Sequence, residues 1–180
     1  MSGHRKMFRT LVATVRAAVL SAGARAVPAG AGNRPIEPQN KKKSSDEKSA
    51  QYQYELGVIA LRYGLPDEAI RYGHLAVSLD PAHFDSWNLL GSAYYAKSDF
   101  ASASEAFEKA ASIKPDASDV QRSLGMTYLE LKETEKAEAA LKKAFAAGGD
   151  AESAYLLGKL CYSAKRYEEA LDYALKSIQK

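Results

Sequence analysis

Residues 84–115 read FDSWNLLGSAYYAKSDFASASEAFEKAASIKP. Trp87, Leu90, Gly91 and Tyr94 follow one another at spacings of 3, 1 and 3, the stripe of an amphipathic helix. That stripe predicts helix A over Phe84–Ala96. Asp99 is placed to cap a second helix, and Ala103, Ala106, Phe107 and Ala110 give that helix its own apolar face. Lys114-Pro115 stops it, so helix B runs about Phe100–Ile113. The small residues Gly91, Ala103 and Ala110 let the two helices approach closely, with Trp87, Tyr94 and Phe107 filling the space between them.

The stretch has copies on both sides. Leu56-Gly57, Leu90-Gly91, Leu124-Gly125 and Leu157-Gly158 recur at spacings of 34, 34 and 33, and Ala69, Ala103, Ala137 and Ala170 keep the same phase. Ala76, Ala110 and Ala144 add a third series, and Pro81 and Pro115 a fourth. A fixed period of this length marks stacked supersecondary units. Residues 49–180 therefore divide into four copies, about 50–83, 84–117, 118–150 and 151–180. Asp67 is expected to cap helix B in the first copy, and Thr134 to start it in the third.

Trp87-x-x-Leu90-Gly91-x-x-Tyr94, then Ala103-x-x-x-Phe107, then Pro115, resembles the tetratricopeptide repeat. The outer copies depart from it. Gln53, Ala60 and Gly73 replace the Trp, Tyr and Phe of copy one, Gln121 and Leu141 the Trp and Phe of copy three, and Cys161 the Tyr of copy four. One such helix pair cannot bury its own face, whereas four stacked pairs share a continuous core. The resemblance implies an all-α fold, a right-handed superhelical solenoid of four antiparallel helix pairs. It also implies a function: holding a peptide or helix of another protein in the concave groove lined by the A helices.

The groove positions are the A-helix residues off the core stripe. Partner-binding candidates are Tyr54, Val58 and Arg62 in copy one, Asn88, Ser92 and Tyr95 in copy two, Arg122, Met126 and Leu129 in copy three, and Tyr155, Lys159 and Tyr162 in copy four. Tyrosine and arginine supply large contact area and directed polar groups, which is why they concentrate in binding hot spots. Arg62, Arg122 and Lys159 face Asp85, Asp119, Glu130 and Glu152, so the groove suits a segment with apolar anchors and both signs of charge. The lysine, asparagine and arginine clamp by which some members of that family grip an acidic chaperone tail has no counterpart; Tyr54, Val58, Leu89, Asp119 and Ser123 stand in its places.

Charge divides the chain differently from its repeats. Residues 1–48 carry 10 Lys/Arg against 3 Asp/Glu, and residues 49–180 carry 15 against 19. The net charge of +3 therefore belongs to a basic tail on a mildly acidic body, which argues against a nucleic-acid partner. In residues 1–26, Arg5, Arg9 and Arg16 fall within roughly 40° on a helix, beside Phe8, Leu11, Val12, Val15 and Val19. This basic amphipathic leader reads as a mitochondrial transit peptide or as a signal for export to a bacterial envelope or periplasm, with a non-targeting leader of a cytoplasmic protein as the alternative. No run reaches the ~20 apolar residues of a membrane span. Residues 27–48, with Pro28, Pro35, Pro38 and Lys41-Lys42-Lys43, read as a solvated linker, so the whole tail is expected to be mostly disordered.

Catalytic and metal patterns are missing. There is one cysteine, Cys161, at a core position, and the three histidines, His4, His74 and His83, lie apart from it and from each other in sequence. No phosphate loop, His-Glu-x-x-His or Cys-x-x-Cys occurs. No cofactor and no enzymatic activity are expected, and a scaffold that assembles an envelope or membrane complex is the leading reading. The alternative is a regulatory piece of a larger protein whose activity lies beyond residue 180. The chain is expected to be monomeric, a dimer being the alternative, because helix 167–179 has one apolar stripe with charges opposite and so can close the array itself.

Overall fold

A computed structural model describes residues 49–148 and 150–178; the leader 1–26, the linker 27–48 and Gly149 lie outside them. Among the described residues there are eight helices and no strand. They are α1 (Ala50–Arg62), α2 (Pro66–Leu79), α3 (Phe84–Ala96), α4 (Phe100–Ile113), α5 (Ser118–Glu130), α6 (Thr134–Gly148), α7 (Ala151–Ser163) and α8 (Tyr167–Ile178). Each helix packs on the next, and the odd-numbered A helices also touch along the row, α1 on α3 and α3 on α5. The result is a solenoid of four helix pairs.

Close approach within a pair rests on the small residues. A Cβ on Gly91 would lie 2.5 Å from the Phe107 ring, and one on Gly125 would lie 2.6 Å from Leu141. Phe107 and Leu141 are themselves buried, at the centre of a cluster with Ala103, Ala110, Leu124, Tyr128, Ala137 and Leu157. Burying a side chain as large as Phe107 contributes about 1.5–3 kcal/mol. Trp87 sits at the margin, its indole N–H donating to the Pro81 carbonyl at 2.9 Å. Cys161 is fully buried, as its core position predicts.

One turn design recurs between A and B helices. Gly64, Ser98, Lys132 and Lys165 adopt left-handed φ of 68°, 61°, 62° and 61°. In the second pair the Ser98 N–H donates to the Tyr95 carbonyl at 2.8 Å, and the Asp99 N–H to that of Tyr94 at 3.0 Å. The same two bonds recur around Lys132 and Lys165, satisfying carbonyls that the helix end would leave open. Only Gly64 occupies this conformation without side-chain strain.

Two expectations are corrected here. Asp67 does not cap α2: Pro66 opens that helix, Leu65 holds the cap position without a side-chain bond, and Asp67 instead pairs with Lys97 at 2.7 Å. The 34-residue frame matches Asp99 to Leu65, not to Asp67. Asp99 does cap α4, its carboxylate accepting from the Ser102 N–H at 3.2 Å. Nor does α8 close the array by itself. Of its stripe Tyr167, Ala170, Leu171, Ala174, Leu175 and Ile178, only Ala170 is buried. Around Gly158 of α7 it is Ala170, Tyr173 and Ala174 that approach, while Tyr167, Leu171, Leu175 and Ile178 stay exposed.

Candidate functional site

The A-helix side of the array holds a cavity of about 420 Å³. It is lined by Tyr95 of α3, Met126, Leu129 and Glu130 of α5, Thr134 of α6, and Leu156, Lys159, Leu160 and Ser163 of α7. The repeat places these side chains together. Tyr95, Leu129 and Tyr162 stand in one register, each close to the end of an A helix. In all three the chain turns back through a left-handed residue three positions later. Tyr95 is fixed edge to face against Phe100 at 5.2 Å, and burial followed by the Glu130 carboxylate raises its phenol pKa. It therefore stays a neutral hydroxyl at the cavity edge.

The apolar floor is Met126, Leu129, Leu156 and Leu160, and the polar groups stand at the rim. Lys159 lies over the Tyr155 ring at 5.7 Å and faces the cavity from α7, while exposed Glu130 faces it from α5. Tyr155 is 56% exposed beside it. A pocket with an apolar floor and a few separated charges can seat one large aliphatic or aromatic side chain and orient the polar chain around it.

Four of the twelve sequence candidates, Tyr95, Met126, Leu129 and Lys159, thus share one cavity. Arg122 is nearby in sequence but tied down: its guanidinium pairs with Asp150 at 3.4 Å and with Glu152 at 3.3 Å. Asp150 also caps α7, accepting from the Ser153 N–H at 2.7 Å. Burial works against the Asp150 charge, but the Ser153 bonds and Arg122 outweigh it and lower the pKa. Arg122 is thus a strut between the third and fourth pairs. Tyr54 meets His83 at a tilt, with ring centroids 5.7 Å apart, and Tyr162 meets Tyr167 edge to face at 5.6 Å. The Ser92 hydroxyl donates to the Asn88 carbonyl within α3. Val58 is half-buried and Arg62 exposed on α1, outside the cavity.

Sequence reasoning missed a second cavity, of about 740 Å³, on the opposite side between α4, α5 and α6. Ala111, Ala139, Ala140, Ala146 and Ala147 line it, with Glu108, Tyr128, Lys136 and Lys143 among the polar groups. The Tyr128 hydroxyl donates to the Glu108 carboxylate. Burial, then that carboxylate, push the phenol pKa upward. The recurring alanines of α6 were the available signal.

His74 and His83 serve structure. His83 caps α3, its Nδ1 accepting from the Ser86 N–H at 3.2 Å, and His74 Nε2 meets the Tyr94 hydroxyl at 2.9 Å. Among the described residues no group of three His, Cys, Asp or Glu side chains could hold a metal ion, and no helix is long and apolar enough to cross a membrane.

A family model described as tetratricopeptide repeat matches residues 94–160. Solved structures share the fold. A crystal structure of MamA is 24% identical, with a TM-score of 0.72 over 78% of this chain and 82% of that one. TTC0263, a thermophilic tetratricopeptide-repeat protein of Thermus thermophilus, is 26% identical, with a TM-score of 0.61 over 78% and 80%. YrrB, described as a tetratricopeptide-repeat protein with an unusual peptide-binding site, is 20% identical, with a TM-score of 0.69 over 78% and 73%. A search of curated proteins gave no significant sequence match.

Proposed function

Because this chain is a tetratricopeptide-repeat protein, of a family that generally mediates protein–protein interaction, we propose that it is a non-catalytic scaffold holding a partner peptide or helix on its A-helix side. The observation that carries this reading is the cavity of about 420 Å³ where Tyr95, Met126, Leu129 and Lys159 converge from three successive repeats. A large apolar side chain of the partner enters between Met126, Leu129 and Leu156. Lys159 takes an acidic group on one flank, and Glu130 takes a basic or amide group on the other. Tyr95 donates its neutral hydroxyl to the partner backbone. Tyr155 and Tyr162, both exposed, extend the contact along α7. Tyr54, Val58, Arg62, Asn88 and Ser92 continue the surface toward the first repeat as secondary contacts. We place the scaffold in assembly of an envelope or membrane complex, with residues 1–26 as its address.

Selection of displayed peptides on the full chain tests the pocket. Enriched sequences should share one large apolar residue with an acidic neighbour, and Met126→Asp should weaken them at least about tenfold. Enriched peptides without such an anchor, or undiminished by Met126→Asp, would sink the reading.

A further inference from the structure

Three gaps separate successive B helices, and the repeat frame shows what each is shaped to hold. In the first, between α2 and α4, Trp87 and Tyr94 pack on a cluster of Val77, Leu90 and Ala106. In the third, between α6 and α8, Phe145 meets Tyr173 edge to face at 6.0 Å. The middle gap is the cavity of about 740 Å³ between α4, α5 and α6. There Gln121 stands in the place of Trp87, 34 residues on, and Ala111 in the place of Val77. Ala111 and Ala140 also stand where Phe145 and Tyr173 stand one repeat later. The cavity is thus the room that aromatic rings of this same chain fill on either side of it.

One polar detail repeats across the first two gaps. The Trp87 indole N–H donates to the Pro81 carbonyl at 2.9 Å, and Gln121 Nε2 donates to the matching Pro115 carbonyl at 3.0 Å. Gln121 satisfies the loop as Trp87 does but takes up far less of the gap. It is only 4% exposed, and its Oε1 accepts no hydrogen bond among the described residues. A buried acceptor at the floor of a cavity calls for a donor on whatever enters.

The charged groups of the lining are Glu108, Asp116, Lys136 and Lys143. Glu108 accepts from Tyr128, and Lys136 pairs with Glu133 at 2.7 Å. Asp116 is exposed in the loop between α4 and α5. Lys143, exposed on the α6 wall, pairs with no carboxylate among the described residues. We propose that this cavity binds a small aromatic acid, a planar ring that carries an N–H or O–H donor and a carboxylate. The ring lies on Leu124 between Ala111 and Ala140, its donor meets Gln121 Oε1, and its carboxylate reaches Lys143. The volume falls within the range of about 300–1,000 Å³ that small-molecule sites occupy. This ligand is separate from the partner peptide of the A-helix side.

Titration of the full chain with indole-3-acetate, read by amide chemical shifts in NMR, tests this. Shifts should gather in residues 108–128 and 136–147. Gln121→Trp builds into the middle gap the ring that Trp87 supplies to the first, and it should weaken binding at least about tenfold. Lys143→Glu, at an exposed position that leaves the core intact, should weaken indole-3-acetate at least about fivefold and leave indole unchanged. Cyclohexylacetate, with the same charge but no aromatic ring and no ring donor, should bind at least about tenfold more weakly than indole-3-acetate. Shifts that gather outside the cavity would overturn the proposal, as would equal binding of cyclohexylacetate or an affinity that neither substitution lowers. None of these results depends on the A-helix cavity, so this proposal and the scaffold reading can fail separately.

Discussion

Arg166, in the turn before α8, grips Glu138 of α6 through both guanidinium nitrogens, at 3.0 and 2.6 Å. The pair is the main polar link between the third and fourth repeats on the B side, and Lys142 adds a second cation to the carboxylate at 2.7 Å.

That link makes stability depend on acid pH. The Arg166 hydrogen bonds, then that of Lys142, hold the Glu138 carboxyl down at about 2, against 4.5 for a free glutamate. The unfolded chain then takes up the proton first as pH falls. The stabilisation is complete above about pH 4.5 and disappears as pH drops to about 2. Discounted for solvent screening, it amounts to about 1–2 kcal/mol. Urea unfolding of Glu138→Gln should show that loss at pH 7 and almost none near pH 2, relative to wild type.

The Gly91–Phe107 contact makes a steric prediction. Gly91→Ala should cost about 1–3 kcal/mol, because the new methyl meets a buried ring that has no room to move. Phe107→Leu in the same chain should recover part of that loss, giving a coupling of about 0.5 kcal/mol or more in a double-mutant cycle. Additive losses would show that the two positions do not share the contact.

Left-handed turns predict a gain. Lys132 and Lys165 carry side chains at φ of 62° and 61°. Replacing either with glycine removes about 1–2 kcal/mol of strain and adds about 0.4–1 kcal/mol of unfolded-state entropy. Thermal unfolding of Lys132→Gly and Lys165→Gly should show a net gain of about 0.5–1 kcal/mol each. Gly64→Ala, with nothing within 4 Å of its Cβ position, should lose stability through backbone strain alone.

The strut role of Arg122 separates packing from binding. Arg122→Ala breaks pairs that are largely within reach of water, so it should cost under about 1 kcal/mol, and less at high salt. A loss that salt does not diminish would point to packing of the side-chain stem instead.

The repeat was legible because its phase is written in residues that packing cannot vary. Leu-Gly at 34-residue intervals fixed the A helices, and Phe84–Ala96 and Phe100–Ile113 emerge as read from the stripe and the cap. The left-handed turn was hidden, since only Gly64 of its four positions advertises it and the backbone bonds that stabilise it carry no side-chain pattern. The cap of α2 was misplaced because Asp67 looks like a cap residue, whereas Pro66 is the better opener of a helix. Four cavity residues were legible from helical phase. The tie between Arg122 and Asp150 was not, because it depends on how far the fourth pair rotates on the third. The amphipathic pattern of α8 showed an apolar stripe but not how little of it α7 covers.

The central claim is that a partner binds on the A-helix side, and photo-cross-linking tests it most directly. A photoreactive phenylalanine analogue is placed at position 126, in the A-side cavity, or at position 139, in the larger cavity on the B side. With peptides enriched on the full chain, cross-links should form from 126 and not from 139. Cross-links from 139 alone, or equally from both, would contradict the account and move the binding surface to the opposite side of the array.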